Sequence, residues 1–150
     1  MSAETELYAV LSGAAGLTAL VGNRIYPDAI PEDAVLPAVV YARASTEPVL
    51  SVSGQKFAET AHLAVSAWAE TRTAAAAVGD QIEAALLAAW QPALNRSSVF
   101  DGDAGLFAAT VETDWFTTSY RPARPTTPPA IRRVFFWRFE KWQTPANGRK

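Results

Sequence analysis

The sequence predicts an α+β fold in which a mostly antiparallel sheet of about four strands is packed by two helices. Three observations carry that prediction. Residues 71–90 set apolar side chains at helical spacing in an alanine-rich run, and residues 57–68 and 106–120 alternate apolar and polar at period two. The order helix, strands, helix, strands is that of segregated layers.

Leu7, Val10, Leu11, Ala14, Leu17 and Val21 recur at spacings of three and four, so residues 4–21 form a helical stripe. Gly13 and Gly16 weaken its middle, which leaves one helix or two shorter ones with a break equally open, and Gly22 with Asn23 is a natural stop. Pro27 disfavours helix at Tyr26, so residues 24–27 read as a short extended piece before a surface loop at Pro31, Glu32 and Asp33. Residues 36–44 are β-branched and aromatic in their middle, with Pro37 near the start, where a missing ladder donor is tolerated.

After a turn around Ser53 and Gly54, the next strand points Phe57, Ala61, Leu63, Val65 and Ala67 one way and Thr60, His62 and Ser66 the other. The helix over 71–90 has Thr71 or Thr73 as N-cap and a stripe of Ala75, Val78, Ile82, Leu86, Ala89 and Trp90, with Pro92 just beyond its end. Its alanines favour helix and permit close approach to a sheet. In the strand over 106–120, Phe107, Ala109, Val111 and Trp115 oppose Thr110, Glu112 and Asp114. Residues 121–130 hold four of the ten prolines and predict a stiff polyproline-like loop. A last strand is expected over 131–142, and 143–150 reads as a flexible basic tail, so residues 1–142 make one domain.

Composition narrows the function classes. The chain of 150 residues is long enough for one core, and 30 of its residues are alanine, so large core formers are few. Without cysteine there is no disulfide, thiolate metal site or cysteine nucleophile. The acidic N-terminus argues against a signal peptide, and no apolar run reaches the roughly 18 residues of a membrane span, which predicts a cytoplasmic product. The net charge of -2 conceals a split: residues 1–120 carry 14 acids and 5 bases, residues 121–150 carry 8 bases and one acid, Glu140. Such asymmetry marks a partner surface or complementary contacts between copies.

Little in the sequence supports catalytic chemistry. The one histidine, His62, lies on the polar face of its strand without a carboxylate partner nearby in sequence, and reads as a solvated or packing residue. There is no Gly-x-Ser-x-Gly elbow, no dinucleotide fingerprint and no Walker sequence. Asp101, Asp103, Glu112 and Asp114 lack the further ligands and closing glutamate of a calcium loop, so they predict a solvated edge or a contact with basic groups of a neighbour. The chain therefore predicts no enzyme, no cofactor and no metal.

One region stands above this background. Arg121, Arg124, Arg132, Arg133, Arg138 and Lys141 lie among Phe136, Trp137 and Trp142, a composition that suits either a protein interface or a nucleic-acid surface. Aromatic residues on both faces of one strand favour burial against protein. The expected interface is Arg121, Arg124, Arg132, Arg133, Phe136, Trp137, Arg138 and Trp142, with Glu112 and Asp114 as acidic counterparts.

The series Val21-Gly22-Asn23-Arg24-Ile25-Tyr26-Pro27, then Leu36-Pro37-Ala38-Val39-Val40-Tyr41, then Val65-Ser66-Ala67-Trp68-Ala69-Glu70-Thr71 with its alanine-rich helix, resembles the tail-terminator or tail-completion proteins of long-tailed bacteriophages and gene transfer agents. The likeness spans about residues 5–90 and matches the last two strands more loosely; the proline-rich loop and the basic tail past Glu140 depart from it. It implies a structural virion protein, assembled in the host cytoplasm. Such a protein forms a ring, usually of six copies, at the head-proximal end of the tail tube. The implied partners are copies of itself, the tube protein and a neck or head-completion protein, with DNA passing through without specific binding and no membrane. The rival readings are a neck adaptor and a small nucleic-acid-binding module.

Overall fold

The computed structural model describes residues 2–118, all of which fall in one compact unit. Residues 119–150, which hold the proline-rich loop, the expected last strand, the basic tail and eight of the ten expected interface residues, lie outside the described part.

The N-terminal stripe is two helices, α1 over Ala3–Gly13 and α2 over Ala15–Val21, broken where Ala14 takes an extended backbone. Ser2 caps α1 by accepting from the Thr5 N–H. Five strands follow: β1 (Ile25–Pro27), β2 (Ala38–Leu50), β3 (Lys56–Ala69), then, after helix α3 (Arg72–Ala88), β4 (Ala93–Asp101) and β5 (Leu106–Thr118). They form one sheet in the order β1-β2-β3-β5-β4, antiparallel throughout except for the β1–β2 pair.

The fold class is the expected one, with differences that have physical causes. β2 runs on to Leu50 because a bulge between Arg43 and Ser45 keeps it paired with β3. The stretch 93–101 is a strand without the alternation that announces one, since it lies at the sheet edge and is exposed at every position from Leu94 to Phe100. Phe57 is exposed, not on the core face, near the start of β3. α3 ends before the predicted stripe does: Ala89 is its C-cap, and Trp90, at φ 60, turns away with 90% of its surface exposed.

All three helices pack on one face of the sheet. Leu7, Leu11, Leu17, Val78, Ile82 and Leu86 meet Leu63, Val65 and Val111 in the core, each fully buried aliphatic side chain contributing roughly 2 kcal/mol. Gly79 lets α3 come close: a Cβ there would sit 3.2 Å from the Ala109 Cβ and 2.9 Å from Arg96 Nη2. Two polar clamps fix α1. The Arg43 guanidinium grips Glu4 through Nε and Nη2 at 2.6 and 2.7 Å, and the Trp115 indole N–H donates to Glu6 at 2.7 Å. That Arg43 hydrogen bond holds the Glu4 carboxyl at about 2, below its ordinary 4.5.

Candidate assembly surfaces

The face of the sheet away from the helices has no layer over most of its area among the described residues. Its centre is small and polar, with Ser66 and Thr110 joined across β3 and β5 at 2.9 Å. Register creates a charge cluster beside them. His62 pairs opposite Asp114, and its Nδ1 bonds Asp114 Oδ1, while its Nε2 lies 3.7 Å from Glu47 on β2. The histidine thus has a carboxylate partner after all, supplied by a strand 52 residues away. Glu112, two residues before Asp114 on the same face, accepts from Asn95 of β4 at 3.3 Å.

Chemically, this cluster is a histidine held between two carboxylates. Ser45 is the cross-strand neighbour of His62, but both ring nitrogens address carboxylates and no hydrogen bond joins Ser45 to the ring. Among the described residues no group of three or more histidine, cysteine or carboxylate side chains is arranged to hold a metal. No described helix is long and apolar enough to cross a membrane.

At the opposite end of the same face the loop after β1 leans over the sheet and makes a groove of about 560 Å³. Ile30, Pro31, Leu36, Val40, Trp68 and Leu106 line it. Its walls are apolar, and Asp28 and Glu32 also border it.

β4 presents the third surface. One edge of this strand pairs with β5 and the other has no partner among the described residues. Its one basic side chain is turned back onto α3, where Arg96 bonds Asp80 at 2.6 Å, Glu83 at 3.3 Å and the Ala76 carbonyl at 2.9 Å. The Asp80 hydrogen bond raises the Arg96 pKa further. Leu94, Val99 and Phe100 remain exposed along the strand, and Leu87 and Trp90 extend the apolar area from the end of α3.

Of the expected interface, the structure places only Glu112 and Asp114, both on the open face, with Asp114 engaged by His62. Arg121, Arg124, Arg132, Arg133, Phe136, Trp137, Arg138 and Trp142 lie outside the described residues. Sequence reasoning missed Leu94, Phe100 and the outward turn of Trp90. A tryptophan two residues before Pro92 was the available signal for the last.

Comparison with known proteins agrees with this architecture. The family model described as tail completion protein gp17 matches residues 5–118, which takes in the whole sheet, α2, α3 and most of α1. A chain from the solved virion of a native gene transfer agent particle superposes with a TM-score of 0.63 at 18% identity, covering 75% of this chain and 91% of that one. No curated protein matches significantly.

Proposed function

Because the chain belongs to the tail completion protein gp17 family, a family of structural virion proteins of the tail, we propose that it forms a ring at the head-proximal end of the tail tube. The ring ends tube polymerisation and joins the tail to the neck. Its partners are further copies of itself, the tube protein and a neck or head-completion protein, and DNA passes through its centre without specific binding. The observation that carries this reading is the family match, which covers nearly every element of the described fold. The likeness to a chain of a gene transfer agent virion supports it at the level of the fold.

A ring of more than two copies requires two different, complementary surfaces on each protomer. The acidic body and the basic residues 121–150 meet that requirement in charge. In this proposal Arg132, Arg133 and Arg138 contact acids of a neighbouring copy or of the tube. Electron microscopy of particles assembled without this protein tests the function. Overlong tails are the expected result; tails of normal length beside heads that carry none would assign the chain to the neck instead.

A further inference from the structure

We propose that neighbouring copies join sheet to sheet, the edge of β4 that is unpaired among the described residues of one copy pairing antiparallel with residues 42–50 of β2 in the next. This rests on the ring reading above and names the contact that would build it.

The two edges match in extent. β1 pairs with β2 only at Val39, Val40 and Tyr41, so residues 42–50 have no partner on that side among the described residues. β4 is 9 residues long, the same length as that free stretch. A neighbour's β4 would lie end to end with β1 along one side of β2.

They also match in direction. β2, β3, β5 and β4 alternate strictly, so β4 runs opposite to β2. A rotation about an axis parallel to the strands therefore brings β4 against the next copy's β2 in antiparallel sense, with the helices of both copies on the same side. Ser98 lies opposite Ala109 and Thr46 opposite Ala61, both core-facing positions, so placing Ser98 beside Thr46 keeps the faces in phase. That register brings Leu94 towards Leu50, exposed by 62% and 55%, where each strand also carries a register shift. It also carries Trp90 towards the β2–β3 turn, where Val52 is fully exposed. Leu94, Leu50, Trp90 and Val52 thus gather at one end of the contact, while Val99 and Phe100 of β4 lie towards the other.

The edges differ in how they are guarded. Native edges are blunted by lysine, proline, bulges or brevity. β4 has neither lysine nor proline, its single arginine is folded back onto α3, and its bulge, at Leu94, sits next to its first residue and leaves 95–101 regular. β2 carries Pro48 and the bulge at Ala44, which favour one specific partner over promiscuous pairing. Joining unlike edges is a heterologous contact, the kind that closes rings.

The chain contains no cysteine, so the pairing can be read with introduced ones. Full-length S98C, T46C and S98C/T46C are treated with a short bis-maleimide and sized, with solution mass measured by light scattering. The expected result is a multi-copy mass for all three, a covalent ladder for the double variant, and none for either single variant. A covalent dimer from S98C alone would show β4 meeting β4 and overturn the proposal. A multi-copy mass with no ladder from the double variant would overturn this contact and leave the ring intact. A monomer mass at high concentration would sink both.

Discussion

Among single residues, Glu4 has the most measurable role. Its carboxylate is held by Nε and Nη2 of Arg43, a bidentate geometry stronger than an ordinary surface pair. With a folded pKa of about 2 against 4.5, its contribution is fully present above pH 4.5 and is lost as pH falls through about 2. Both side chains are partly exposed, so solvent screening trims the gain to about 1 kcal/mol. Glu4→Gln should lower stability by that amount at pH 7 and flatten the acid limb between pH 4.5 and 2, read by urea denaturation across pH. His62 teaches a different lesson at this scale. Nothing within reach along the chain identifies its partners, because Glu47 and Asp114 arrive only when β2 and β5 take their registers against β3.

Elements reveal their ends through caps and their packing through what a side chain would meet. Thr71 accepts from the Ala74 N–H at 3.2 Å and starts α3; Thr71→Ala should cost about 1 kcal/mol. Gly79 stands where α3 crosses β5, and Gly79→Val would press a branched side chain on Ala109, with an expected loss of about 2 kcal/mol. Thermal denaturation separates both variants from the parent, and an unchanged midpoint for Gly79→Val would refute the close approach. Elements with one buried face were readable from the sequence: in β3 the buried positions run Ala61, Leu63, Val65, Ala67, and in β5 Ala109, Val111, Thr113, Trp115. β4 was not, since a strand exposed at nearly all positions has no side to bury and leaves no period. The glycines permitted one helix or two equally, and the structure has two, broken at the extended Ala14.

For the molecule as a whole, assembly depends on the surfaces it leaves uncovered. The layer order and the antiparallel sheet were legible because hydrophobic period and element order are local properties. The candidate surfaces were legible only in part: Glu112 and Asp114 fall on one face by simple alternation, whereas the apolar end formed by Leu87, Trp90 and Leu94 depends on where α3 stops. If basic groups of one copy meet acids of another, charge reversal at Arg132 and Arg133 should weaken assembly about tenfold or more. Light scattering would show the lower mass while circular dichroism stays unchanged.

Cryo-electron microscopy of the intact particle's neck would locate this chain. The expected density is a closed ring of this chain, with rotational symmetry, seated between the last tube layer and the neck. Density that places the chain elsewhere in the particle, or as single copies without a ring, would contradict it.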